Sequence, residues 1–250
     1  MNIVIIGSGN VAFHLAKAFT ENHIPVNQIF GRNEADLKAI SEELHIPSSI
    51  ENLADADLYI ISVSDSSIGE VSKKIGKKSA LVAHTSGSVS RNALSGNYRK
   101  AVFYPLQTFS KSKELNYSEF PFFIDAENED DKIVLENLAK KISPKVLFAD
   151  DEKRKSIHLT AVFACNFVNH LFARAKEISD SQEIPFDYFL PLIDETTRKI
   201  HEIEPKKAQT GPAVRNDEKV LKIHEELISD EEHLKIYKTM NQSIKKMYEL

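Results

Sequence analysis

The apolar residues fall into two successive patterns. Up to about residue 149 they gather in short continuous runs, each followed by small or polar residues. Ile3-Val4-Ile5-Ile6 is the first such run. Leu58-Tyr59-Ile60-Ile61, Ala80-Leu81-Val82-Ala83, Ala101-Val102-Phe103-Tyr104 and Phe122-Phe123-Ile124 repeat it. Continuous runs of this length suit strands of a parallel sheet covered on both faces. Val26-Asn27-Gln28-Ile29-Phe30 and Val146-Leu147-Phe148 read as further strands. Helical spacing lies between them: Val11, Leu15, Ala18 and Phe19 share one side, Asn33 is placed to cap a helix over 34–44, and another spans 130–142. The alternation predicts an α/β fold, a doubly wound parallel sheet over residues 1–149.

From Asp151 the spacing changes. Ile157, Ala161, Ala164, Val168, Leu171, Ala175 and Ile178 recur at intervals of three and four. Leu159, Val162, Phe163 and Phe167 add apolar residues on other faces, which predicts a helix buried between neighbours. Further helices are expected at 186–203, 217–228 and 230–248, the last with a capping box from Ser229 and Glu232. Residues 150–250 thus read as an all-α domain. The seam of Tyr237, Met240, Ile244 and Met247 is open to packing within that domain or against a second subunit.

Charge and composition remove several function classes. The formal net charge is -5, and the first 150 residues carry 16 basic and 19 acidic side chains, so there is no basic half for nucleic acid or a membrane surface. Cys165 is the single cysteine, which excludes a disulfide framework and a cysteine-rich zinc site within one chain. The nine histidines show no HxH or HExxH spacing, so no metal site is expected. His23 and His45 read as solvated helix-end residues, and Lys73-Lys74 and Lys77-Lys78 as an exposed helix end. Strictly apolar runs fall far short of the ~20 residues that span a bilayer, and no basic n-region precedes the first strand. A cytoplasmic protein is the expectation.

The first βα turn carries the clearest chemistry. Gly7-Ser8-Gly9-Asn10-Val11-Ala12 follows a strand and opens a helix with the spacing GxGxxA. Gly7 permits the tight turn, Gly9 lets a pyrophosphate approach the backbone, and Ala12 keeps the helix close to the strand. The helix N-terminus offers free N–H groups to phosphate. After the second strand, where an NAD site usually has an acid for the ribose hydroxyl, the chain has Arg32-Asn33. Arginine suits a 2′-phosphate, so NADP(H) is expected over NAD(H). Two more strands end in small polar residues, Ser62-Val63-Ser64-Asp65 and His84-Thr85-Ser86-Gly87, at the sheet edge where ligands of open α/β folds bind.

The helical half carries polar exceptions. His158 and Asn169 lie nearly in line on a helical wheel, with Cys165 beside them and Asn166 at the flank. They are open to two readings, a substrate-facing stripe or ordinary satisfied interior polar residues. Arg215, in the turn Ala208–Asp217, could clamp an anionic substrate group or pair with a nearby acid, and Asp217 could cap the next helix.

Taken in order, the GxGxxA turn, His84-Thr-Ser-Gly87, Tyr104-Pro-Leu-Gln-Thr-Phe109, Asn166 and Thr210-Gly-Pro-Ala-Val-Arg-Asn-Asp217 resemble the Rossmann-like family whose C-terminal part is domain of unknown function 2520. Its members are often labelled NADP oxidoreductases, and its layout is similar to pyrroline-carboxylate reductase and, more distantly, to the 6-phosphogluconate dehydrogenases. The resemblance covers essentially the whole chain. It implies a Rossmann domain, a helical domain that often mediates dimers, and an approach of Ser62–Asp65 and His84–Gly87 to the ribose and nicotinamide of the cofactor. Two departures stand out. The family commonly has His-Pro where this chain has Tyr104-Pro105, and the lysine that hydroxyacid dehydrogenases use has no counterpart between Lys155 and Lys176.

The expected function is hydride transfer between NADP(H) and a small carbonyl or imine substrate in the interdomain cleft, with His158 or His84 as proton donor and Asn166 orienting the substrate. A homodimer through the helical domain is expected. The alternatives are a nucleotide-binding sensor without turnover, which the missing lysine supports, and a methyltransferase, which Arg32 disfavours.

Overall fold

The computed structural model describes residues 1–250. One eight-stranded sheet organises the first part of the chain. Its strands are β1 (Ile3–Ile6), β2 (Val26–Phe30), β3 (Ser48–Ser49), β4 (Leu58–Ile61), β5 (Leu81–His84), β6 (Arg99–Pro105), β7 (Phe122–Ala126) and β8 (Val146–Phe148). Their spatial order is β3-β2-β1-β4-β5-β6-β7-β8. Strands β1 to β6 are parallel to their neighbours, whereas β7 runs antiparallel to β6 and pairs in parallel with β8. The order reverses between β1 and β4, which opens a crevice above their C-terminal ends.

The continuous apolar runs follow from burial on both faces. Ile3 and Ile5 of β1 face a layer that includes Phe19 of α1 (Asn10–Glu21), Leu37 and Ile40 of α2 (Glu34–Leu44) and Leu135 of α4 (Glu129–Lys140). Val4 and Ile6 face the opposite layer with Ile68 of α3 (Ile68–Ser72), Tyr59 and Tyr98. Phe103 and Phe122 pack as a tilted pair with ring centroids 5.0 Å apart where β6 meets β7. Asn33 caps α2 as expected, its side chain accepting the Asp36 N–H.

The β1–α1 turn holds three strands together. Gly7 donates its N–H to the Phe30 carbonyl at 2.7 Å, and Ser62 donates to the Ile6 carbonyl at 2.7 Å. Gly7 has φ +139°, and a Cβ there would lie 2.0 Å from the Ser62 carbonyl oxygen. Gly9 differs, because a Cβ there would meet no atom within 4 Å.

The chain divides into two compact units, Met1–Asn166 and Phe167–Leu250. This moves the 149/150 boundary expected from the end of the last strand. The reason is α5 (Asp151–Ala161), which is tied to the sheet unit by Arg154. That side chain is fully buried, and Nη2 donates to the Val89 carbonyl at 2.5 Å and to Asp151 Oδ1 at 2.7 Å. A π-helical segment, Val162–Phe167, follows α5 and leads into α6 (Val168–Ser181).

The second unit contains α6, α7 (Leu190–Glu202), α8 (Pro205–Ala208), α9 (Glu218–Leu227) and α10 (Glu231–Met247). Asp217 caps α9, accepting the Val220 N–H. The cap of α10 is Asp230, which accepts the His233 N–H, and not the expected Ser229–Glu232 box. The expected burial of the long helix is also corrected. Between Asp151 and Ser181 only Arg154 and Ser179 are buried, while Leu159 and Phe163 are 58% and 63% exposed. The apolar positions are there, but this chain alone does not cover them.

The two glycines of the turn should separate in a stability measurement. Gly7→Ala must relieve both a positive φ and a clash with backbone, so urea unfolding should show a loss of more than about 2 kcal/mol. Gly9→Ala has neither problem and should stay within about 0.5 kcal/mol of the parent.

Candidate active site

The crevice above β1 and β4 is a pocket of about 490 Å³. Its floor is the glycine turn, with Gly7, Ser8, Gly9, Asn10 and Val11 all lining it. One end is closed by Arg32 and Asn33 beyond β2, and one wall by Ser62, Val63, Ser64 and Thr85 beyond β4 and β5. Every one of these residues is expected from sequence to contact a cofactor. Three others expected there, Asp65, Ser86 and Gly87, lie outside the lining. They build the neighbouring loop: Ser88 Oγ donates to Asp65 Oδ2 at 2.5 Å, and Ser86 Oγ accepts the Val89 N–H at 3.1 Å. The lining also takes in Asp36, Ser67 and Lys74, which sequence reasoning missed. Lys74 belongs to a pair read as an exposed helix end; its side chain is exposed and also reaches the pocket.

Asn10 and Val11 line a second pocket as well, of about 760 Å³. Its apolar wall is formed by Leu106, Phe109, Ile157, Ala161 and Ala164. Its polar groups are Tyr104, Gln107, Thr108, His158, Thr160, Cys165 and Asn166. The segment that supplies Gln107, Thr108 and Phe109 is strapped onto α1. The buried His14 bonds the Tyr117 hydroxyl through Nδ1 and the Ser110 carbonyl through Nε2, both at 2.9 Å, and Asn10 Nδ2 donates to the Phe109 carbonyl at 3.0 Å.

Two residues that line this pocket form a pair absent from the expected site as a pair. Tyr104 Oη lies 3.2 Å from Nδ1 of His158. Gly87 packs directly against it, since a Cβ there would fall 2.7 Å from the Tyr104 ring and 2.9 Å from Nδ1 of His158. Gly87 thus serves as clearance for the pair. Burial pushes the Tyr104 hydroxyl up to about 12, so it keeps its proton at neutral pH.

His158 and Asn166 line the same pocket, and Asn169 does not. The π-helical turn accounts for this. Each of its residues advances less around the axis than in an α-helix, so the expected line from His158 to Asn169 is broken after Asn166. Arg215 lies in the second unit, exposed and without an ion pair.

His84 does not fit a proton-donating role. It is the last residue of β5, fully buried, and lines neither pocket. Burial, followed by the nearby Arg154 cation, lowers its pKa from 6.5 to about 4. The neutral ring accepts the Ser86 N–H at Nδ1 over 3.2 Å and so anchors the start of the loop. A compensated charge cluster lies near Tyr104. Burial opposes ionisation of Asp151, but hydrogen bonds from Ser90, Arg154 and the Arg91 N–H hold it down to about 2. Arg91 pairs with Asp125 at 2.8 Å.

The parallel sheet with its switch point, the glycine turn and the pocket above it define a dinucleotide-fold protein of the Rossmann type. Residues 120–244 match the model for Domain of unknown function 2520, and residues 2–86 match the model described as NADP oxidoreductase, coenzyme F420-dependent. The crystal structure of a provisionally assigned NADP oxidoreductase from Bacteroides fragilis is 40% identical, with 100% of this chain and 98% of that chain covered and a TM-score of 0.93. A Thermotoga maritima protein is 19% identical, with 99% and 100% covered and a TM-score of 0.83. A pyrroline-5-carboxylate reductase from Coxiella burnetii is 15% identical, with 99% and 93% covered and a TM-score of 0.59. The last two are likenesses of fold. Comparison with curated proteins gives no match. The chain belongs to the oxidoreductase family that joins a Rossmann domain to Domain of unknown function 2520.

Burial of His84 has a stability consequence with a definite sign. Its folded pKa of about 4 lies below the 6.5 of the free side chain, so the unfolded chain takes up the proton first. Stability should therefore fall as pH drops from 6.5 towards 4 and gain no further slope from this group below that. Chemical denaturation across this range should show the slope in the parent and a flatter profile in His84→Gln.

Proposed function

We propose that the chain is an NADP(H)-dependent oxidoreductase that transfers hydride to or from a small carbonyl or imine carbon. The observation that carries this reading is the shared wall of Asn10 and Val11 between the two pockets. A phosphate-cradling turn and a pocket holding a hydrogen-bonded Tyr–His pair meet there. The residues fit a dinucleotide: Gly9 leaves open space beside the backbone, and Arg32 is an exposed cation with no carboxylate partner at the far end.

A bound nicotinamide dinucleotide supplies the hydride. The chain's own residues bind, orient and handle the proton. The hydrogen bond between the Tyr104 hydroxyl and Nδ1 of His158, 3.2 Å long, holds the imidazole in place. In its imidazolium form His158 acts as the general acid, passing one ring proton to the carbonyl oxygen or imine nitrogen as hydride reaches the carbon, and is left neutral. Asn166 offers amide donors and an acceptor to hold the substrate, and Leu106, Phe109 and Ile157 exclude water. Tyr104 takes the place of the family's histidine, as a positioning residue for His158.

One observation favours the second reading, a binding protein that senses NADP(H) without turnover. The Tyr104–His158 pocket is lined by no lysine, arginine, aspartate or glutamate. Turnover of any carbonyl or imine substrate decides between the two. The cytoplasm is the compartment in which this reading places the protein.

The second unit calls for a second copy of the chain. From Phe167 to Leu250 only Ser179, Ala213 and Leu221 are buried. Leu192, Leu227 and Tyr188 are 64%, 75% and 76% exposed. Such a unit has the apolar content of a core and no core of its own. The stretch Asp151–Ser181 also matches a membrane-crossing helix in length and hydropathy, but Arg154 ties its start into the sheet unit. A homodimer closing over the helical faces satisfies the exposed residues.

Three experiments test these points. Calorimetric titration should show NADPH binding more tightly than NADH, with Arg32→Ala weakening NADPH by about tenfold or more and leaving NADH unchanged. With a turned-over substrate, His158→Gln should lower kcat by about a hundredfold at unchanged NADPH affinity. Binding of neither nucleotide would end the oxidoreductase reading. Sedimentation velocity should give a dimer at micromolar concentration, and a monomer would refute the second copy.

A further inference from the structure

Lys74 lines the dinucleotide pocket together with Arg32. The two cations come from different elements: Arg32 follows β2, and Lys74 follows α3. Neither forms an ion pair, although the neighbours of Lys74 do. Lys73 pairs with Glu70 at 2.5 Å and Lys77 with Asp57 at 3.4 Å. The Lys74 ammonium is instead held 5.7 Å from the centroid of the Phe30 ring, which itself lines the pocket. One carboxylate, Asp36, lines the pocket with them, and both of its oxygens are engaged. Oδ1 accepts from Lys111 Nζ at 2.9 Å and Oδ2 from Asn33 Nδ2 at 2.7 Å. Its charge is answered from its own side, which leaves two unanswered cations facing one space.

We infer that Lys74 is the second half of a two-cation clamp, with Arg32, for a phosphate monoester on the adenosine ribose of the dinucleotide. The inference rests on the dinucleotide reading above and adds its specificity determinant. A dianionic phosphate takes charge-assisted hydrogen bonds from both sides, the planar guanidinium on one and the compact ammonium on the other. A bare ribose hydroxyl would leave both cations without a partner, so the clamp discriminates between the two dinucleotides by charge. Lys111 contributes by keeping Asp36 from opposing the phosphate.

The test uses the full chain and equilibrium binding, with NADPH, NADH, adenosine 2′,5′-bisphosphate and AMP as probes. Lys74→Ala should weaken NADPH and the bisphosphate by about tenfold and NADH and AMP by less than about twofold. Lys74→Glu should weaken NADPH further and leave NADH nearly unchanged. Lys73→Ala, whose side chain pairs with Glu70, should match the parent with all four probes. The selectivity loss should shrink as salt rises. Lys74→Ala that behaves like Lys73→Ala, or that weakens NADH as much as NADPH, overturns the clamp. A parent that binds NADH as tightly as NADPH also overturns the clamp and leaves the oxidoreductase reading standing. A parent that binds neither overturns both.

Discussion

The approach of Gly7 to the Ser62 carbonyl is the constraint from which the site is built. No side chain fits between them, and the backbone at Gly7 takes a conformation that L-residues avoid. This lets the C-terminal ends of β1, β2 and β4 meet within hydrogen-bonding distance of one turn. Because the strand order reverses there, the meeting point is also the mouth of a crevice. The helix that leaves the turn aims its N-terminus into that crevice, and the residues after β2 and β4 become its end and wall.

A second consequence runs along α1. Asn10 and His14 stand on this helix and bond the Phe109 and Ser110 carbonyls, so the segment after β6 is fixed relative to the glycine turn. That segment supplies part of the pocket in which Tyr104 and His158 meet. Arg154, one helical turn before His158, anchors α5 to the loop after β5. The same loop provides the clearance at Gly87. The two pockets are therefore held to one another by the sheet edge and two helices, on rigid elements that suit preorganised chemistry.

The sequence made the sheet legible because burial on both faces forces continuous apolar runs, as at Ile3–Ile6 and Leu58–Ile61. The glycine turn, Arg32 and Asn33 were legible because each sits at a fixed distance from a strand end. Lys74 was not, since α3 is a short helix whose facing partner is known only after folding. The Tyr104–His158 contact joins residues 54 apart, and no local pattern encodes it. His84 looked like a loop histidine after an apolar run, yet the β5 ladder continues through it and buries it. The π-helical turn also escaped notice, because its residues are those of an ordinary helix while its geometry shifts Asn169 out of line.

The most direct measurement is a crystal structure of the chain with bound NADPH. The account predicts the pyrophosphate on the Gly7–Val11 turn and the nicotinamide at the wall shared by the two pockets, facing His158. A nicotinamide turned away from the Tyr104–His158 pocket, or a dinucleotide bound elsewhere on the chain, would contradict it.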